Sequence, residues 1–168
     1  MPTPLHEPGQ IQACPASLRT LHSYWQGKRR EGQLPGRADI DPVELRAYLG
    51  RIVIAELRGG ELIYRLVGTD LVAEWGFEPT GRRVADTLAS DYRDTFMNPY
   101  RIAIEQATPV HAQLPMRTRP WRGLSVEALF LPLARDGRAV DMVLAYGTKP
   151  RDLTPGRVQS IRYPTYPA

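Results

Sequence analysis

The sequence predicts an α+β fold: a five-stranded antiparallel sheet with short helices on one face and a flanking helix on the N-terminal side. Three observations predict it. Two hairpin signals, Gly59-Gly60 and Asp136-Gly137, each join stretches in which apolar residues alternate. Several short helical stretches separate these two hairpins. An amphipathic stretch with apolar spacings of three and four precedes the first hairpin.

Residues 1–14, rich in Pro and polar groups, predict a flexible leader. Pro15 and Ser17 then open a helix whose apolar stripe carries Leu18, Leu21, His22 and Trp25. Lys28, Arg29 and Arg30 suit the negative end of its dipole, and Gly32 stops it. Pro35-Gly36 makes a turn. Asp41 reads as an N-cap with Pro42 at the first helical position and Glu44 three residues on, predicting a short helix from Pro42 to Leu49 that ends at Gly50.

Two strands follow, Arg51 to Arg58 and Glu61 to Val67. Strict alternation in the second places Leu62, Tyr64 and Leu66 on one face and Ile63, Arg65 and Val67 on the other. Thr69 caps a helix carrying Leu71, Val72 and Trp75, which Gly76 ends. Pro79-Thr80-Gly81 is a turn, and Arg82 to Leu88 is a second short segment. Ser90 or Asp91 starts a longer helix reaching about Ala107, with Tyr92, Phe96, Tyr100 and Ile104 along it. Pro99 predicts a kink or break near Asn98. Strands at Val110 to Thr118, Gly123 to Leu133 and Ala139 to Thr148 complete the sheet. The last carries Val140, Met142, Leu144 and Tyr146 on one face. Residues 150–168 hold several prolines and few aliphatics, and predict a loose C-terminal tail. The organisation is thus a leader at 1–14, one domain at 15–149 with its core at about 51–149, and the tail.

Composition narrows the function classes. The chain has 168 residues, 42% hydrophobic and 24% charged, enough for one domain with a core of its own. No run of about 18 apolar residues is present to span a membrane, and Met1 to Gln10 lacks the pattern of a secretory signal. A cytoplasmic location is expected. The net charge of +4 is carried by scattered arginines; Lys28 and Lys149 are the only lysines. Such scatter predicts solvated faces rather than the basic stripe of a nucleic-acid binder. Cys14 stands alone, so it forms no internal disulfide and no cysteine-based zinc site.

Six short motifs in order resemble the PAS family, and most closely a short bacterial single-domain PAS subfamily. They are Tyr24-Trp25, the Leu34 to Pro42 segment with Arg37, Asp39, Ile40 and Asp41, Tyr64-Arg65-Leu66-Val67-Gly68-Thr69, Thr80-Gly81-Arg82, Leu131-Pro132-Leu133 and the Asp136-Gly137 turn. The resemblance runs from about Leu18 to Lys149. It implies a PAS-like sheet and a non-catalytic sensory or regulatory module in signal transduction. Such a module works by binding a small ligand, by docking onto another signalling protein, or by both, and a homodimer is expected. The family includes haem and flavin binders, and no cofactor is expected here. The cysteine that light-sensing PAS domains carry on a central helix has no counterpart, which excludes flavin-cysteinyl photochemistry. The central helices also lack a histidine for haem; His111 lies at the start of a strand.

The residues themselves offer little catalytic chemistry. Three scattered histidines do not converge on a metal, no Gly-x-Ser-x-Gly elbow is present, and no Gly-rich phosphate loop follows a strand. An apolar cavity between sheet and helices remains, lined by Tyr64, Trp75, Phe96, Tyr100 and Met142, with plain core packing as the alternative. Arg65 either faces that cavity and needs an anionic partner, or points to solvent and pairs across strands. Leu18, Leu21 and Trp25 are the dimer or partner candidates, with packing on the chain's own sheet as the alternative. Arg37, Asp39 and Asp41 form either a partner-binding loop or a structural clasp. A second function class is a small isomerase- or hydratase-like enzyme with Glu127 as its cavity carboxylate. A third is an arginine-driven nucleic-acid binder.

Overall fold

Alternating apolar residues at Ile52–Arg58 (β2) and Glu61–Val67 (β3) form an antiparallel hairpin across Gly59-Gly60. Both glycines take positive φ, 58° and 83°, which a two-residue turn of this hand requires and a side chain resists. The computed structural model describes residues 1–6, 9–116, 124–149 and 151–152. Strands Val110–Met116 (β4), Leu124–Leu133 (β5) and Met142–Gly147 (β6) complete the five long strands expected. Two short strands add to them: Thr3–Pro4 (β1) pairs with β4, and Arg151–Asp152 (β7) pairs with β5. All pairings are antiparallel, in the order β1-β4-β5-β6-β2-β3, with β7 beside β5.

The two faces of this sheet carry separate cores. On one face Val53, Ala55, Tyr64, Val110, Phe130 and Val143 meet Leu71 of Thr69–Trp75 (α2), Val84, and Tyr100 and Ala103 of Ser90–Gln106 (α3). On the other, Ile52, Ile54, Leu129, Leu131, Leu133 and Leu144 meet Leu18, Leu21 and Trp25 of Ala16–Gly27 (α1). Segment 28–51 extends this second layer and is tied to the β5–β6 loop. The Leu34 amide donates to the Gly137 carbonyl at 2.9 Å, and the Ala134 amide to that of Pro35 at 3.0 Å.

Several local expectations are corrected. Strict alternation in β3 fails at Arg65. Ile54 pairs with Leu66 and Ala55 with Tyr64, so Arg65 is an extra residue, a β-bulge. Beyond the bulge the parity inverts: Val67 joins Leu62 and Tyr64 on the face of α2 and α3, and Leu66 goes to the α1 face. The leader is laid against the sheet through β1, with Leu5, Ile11 and Cys14 buried under the α1 layer. The expected helix from Pro42 to Leu49 is a run of turns: Asp41 Oδ1 accepts from the Val43 amide at 2.8 Å, as an N-cap does, but backbone bonds beyond it close over three residues, Arg46 to Val43 at 3.4 Å and Tyr48 to Leu45 at 2.8 Å. The expected partner of Asp41, Glu44, instead pairs with Lys28 at 2.6 Å. Thr69 is the first residue of α2, and Gly68 holds the capping position. α3 runs unbroken through Pro99, whose ring is buried. The second hairpin is wider than two residues: Asp136 Oδ1 accepts from the Arg138 and Ala139 amides, and β6 starts at Met142. The strand expected to reach Thr118 is described to Met116, and most of the expected tail lies outside the described residues.

Candidate functional site

The space between the sheet and α2–α3 is where the sequence places a ligand cavity. Tyr64 and Tyr100 both enter it and are 4% and 6% exposed. Tyr100 meets Phe130 edge to face with ring centroids 4.8 Å apart, a favourable aromatic geometry. The Tyr64 hydroxyl lies 3.3 Å from Thr87 Oγ1, and Trp75 stands 6.1 Å from the Tyr64 ring. Trp75 and Phe96 pack against this core from its edge, half-buried. Burial raises the Tyr64 phenol above its ordinary range and drives Tyr100 well above it, so both stay neutral at physiological pH. The structure therefore brings Tyr64, Trp75, Phe96 and Tyr100 together, and it brings them together as packing.

Two other cavity candidates leave the group. Arg65, displaced by its bulge, projects to solvent with its side chain 52% exposed, and its Nε lies 3.3 Å from Glu56 Oε2. Met142 packs on the α1 face, because β6 turns Val143 and Ala145 towards α3. The partner candidates on α1 are also internal. Leu18, Leu21 and Trp25 are 0%, 0% and 1% exposed against this chain's own sheet. The Trp25 indole N–H donates to the Pro132 carbonyl at 3.0 Å, which fixes the helix on β5. The Arg37–Asp41 segment is a structural clasp, tied within itself and to Arg30 and Tyr24. Asp39 Oδ2 accepts from the Gly36 amide at 2.8 Å, and Arg37 donates to the Ile40 carbonyl at 3.2 Å.

Glu127 lies on the α1 face as well, in phase with buried Leu129 and Leu131. Its Oε2 is 3.1 Å from His111 Nε2, both side chains being about a quarter exposed at 24% and 22%. It is thus remote from the core between β-sheet and α3, which removes the cavity carboxylate on which the enzyme reading rests. Cys14 is buried on this same face; burial first, then the nearby Glu127 charge, raises its thiol and keeps it a poor nucleophile. Among the described residues no three His, Cys, Asp or Glu side chains converge as metal ligands. No described helix is long and apolar enough to cross a membrane.

The charged site that sequence reasoning passes over is at Arg51. This arginine is 7% exposed. It ion-pairs with Glu74 on α2 and donates to the carbonyls of Gly147 at 2.9 Å and Thr148 at 3.0 Å. One guanidinium thus joins the segment before β2, α2 and the end of β6. A close approach of glycines builds the same corner: a Cβ on Gly68 would lie 2.3 Å from the Gly50 and Leu49 carbonyl oxygens. Gly68 is the glycine of the Tyr64-to-Thr69 motif, and this contact is its physical reason. Beside Arg51 opens a pocket of about 350 Å³ whose walls include Ser17, Gly50, Asp70, Tyr146 and Lys149. The available signal was Arg51 itself, two residues before inward-facing Val53 in the alternation.

Comparison with known proteins agrees with this architecture. The family model for the PAS domain matches residues 14–146. No curated protein matches the chain. Among solved structures, a domain of an HTR-like protein from Haloarcula marismortui is 17% identical, with a TM-score of 0.45 over 61% of this chain and 96% of that one. A variant of the fungal photoreceptor VVD is 11% identical, with a TM-score of 0.48 over 81% and 97%. A sensory box sensor histidine kinase from Vibrio cholerae is 13% identical, with a TM-score of 0.45 over 86% and 96%. The solved structures are distant, and the assignment rests on the family match: the chain belongs to the PAS domain family and is a module of sensory signalling.

Proposed function

We propose that this PAS domain is a non-catalytic, cytoplasmic regulatory module that holds no cofactor in its core and signals by docking onto another protein. One observation carries the reading: Tyr64, Tyr100 and Phe130, at 4%, 6% and 3% exposure, fill the space between sheet and helices. A flavin or haem there would have to displace them, and close-packed side chains do not yield that volume without loss of stability. The output belongs to the α1 layer. Its release would bare Leu129, Leu131, Leu133 and Leu144, an apolar surface of the kind that recruits a partner. A homodimer built on Leu18, Leu21 and Trp25 would require α1 to leave the sheet.

The test is titration of the purified protein with hemin and with FMN, followed by visible absorbance and by flavin fluorescence. The expected result is no bound-cofactor spectrum in the protein as isolated and no saturable binding of either compound. Stoichiometric uptake of either, abolished by Tyr100→Trp, would place a cofactor in the core and overturn the proposal.

A further inference from the structure

We infer that the pocket beside Arg51 is a binding site for a small zwitterion, a free α-amino acid or a betaine, with its carboxylate on Lys149 and its cationic nitrogen on Asp70. This goes beyond the docking role and concerns a different part of the fold from the core between sheet and α3. The pocket's volume, about 350 Å³, lies within the range of small-molecule sites.

Its charges select the ligand class. Arg51 lines the wall, but its guanidinium is already committed to Glu74, Gly147 and Thr148. Two charged groups remain, Asp70 and Lys149, one of each sign and both exposed. Among the described residues neither has an ion pair or hydrogen bond, with each other or with anything else. With Arg51 neutralised by Glu74, the wall carries no net charge. A simple anion would meet the Asp70 carboxylate, and a simple cation would meet Lys149. A molecule carrying both charges satisfies both groups. The Ser17 hydroxyl adds a neutral hydrogen-bonding group, and Tyr146, held edge to face by Tyr48 at 5.1 Å, adds an apolar wall.

Gly50 is part of the design. A Cβ there would lie 2.7 Å from Asp70 Oδ2, so the missing side chain is what allows the carboxylate its present position. The location gives binding a consequence. Ser17 belongs to α1, Gly50 to the segment before β2, Asp70 to α2, and Lys149 follows β6. A bound zwitterion would bridge all four and favour the state with α1 seated over the one with α1 released.

The experiment is a ¹H–¹⁵N NMR titration of the full-length protein with a panel of free α-amino acids and glycine betaine, with acetate and methylammonium as single-charge controls. At least one zwitterion is expected to shift the Gly50, Asp70 and Thr148 amides saturably, at lower concentration than either control. Asp70→Asn and Lys149→Met are each expected to weaken that binding about fivefold, the scale of one exposed ion pair. Gly50→Ala should weaken it too by pushing the carboxylate aside, and all three variants should keep the wild-type melting temperature within a few degrees. The inference is overturned if no panel member shifts these amides, if acetate or methylammonium binds as tightly as the best zwitterion, or if both charge variants bind like wild type.

Discussion

Arg51 shows how much one side chain can decide. A buried guanidinium is tolerable only when its donors are paired, and here a carboxylate and two carbonyls pair them. Truncation would strand the Glu74 side chain, which is 12% exposed, beside two carbonyls without donors. Arg51→Ala is therefore expected to lower unfolding free energy by about 3–5 kcal/mol, the scale of breaking a buried pair from one side. The Arg51→Ala/Glu74→Ala double variant should lose less than the sum of the single losses, which urea denaturation of all four proteins would measure. His22 makes a pH-dependent contribution. Burial holds its imidazole below the ordinary value of 6.5, so the folded state resists the proton that the unfolded chain accepts. Stability is intact above 6.5 and declines as pH falls from 6.5 to the lower folded value. His22→Gln should flatten that part of the profile, read as urea midpoints; an unchanged slope would remove His22 from the account. Neither residue stood out in the sequence. An arginine at a strand start reads as an edge residue, and a histidine on an apolar stripe says nothing of how deeply it is buried.

Elements were legible wherever local pattern and tertiary demand agreed. The Gly59-Gly60 hairpin fell where alternation and turn chemistry put it, and α2 ended at Gly76 as read. The misses have a common physical form, a side chain that found a partner other than its sequence neighbours. Glu44 reaches Lys28 instead of the Asp41 amide, which donates to the Tyr24 hydroxyl. The β5–β6 loop widens while its backbone holds residue 34. The bulge at Arg65 is the most consequential miss, because alternation continues through it in the sequence while the faces exchange in space. Arg65→Ala is expected to cost within about 1 kcal/mol, since its pairing with Glu56 is exposed. Deleting Arg65 should be tolerated as well: Tyr64 and Leu66 would then follow one another opposite Ala55 and Ile54 in a regular ladder, with Leu62, Tyr64, Leu66 and Val67 on their present faces. A cooperative thermal transition near that of wild type is expected, and its loss would contradict the bulge.

At the scale of the whole molecule, one sheet carries two cores. The core beneath α2 and α3 was open to two readings, a ligand chamber or plain packing; aromatic residues at these spacings serve either purpose, and the edge-to-face contact of Tyr100 with Phe130 favours packing. The core beneath α1 was read as a possible seam between copies and is a seam within the chain, closed by Trp25 on Pro132. The corner at Arg51 was illegible because its parts, at Ser17, Gly50, Asp70 and Lys149, are scattered along the chain. On the proposed reading, a signalling module so arranged would take its input at the surface and give its output through the α1 layer, with a closed interior between them. The measurement that tests this most directly is the intact mass of the purified protein under native and then denaturing conditions. The account predicts a protomer of 18.9 kDa with no added mass the size of a flavin or haem in either condition. An added mass of that size, held under native conditions and lost on denaturation, would mean that the interior houses a cofactor, and would contradict it.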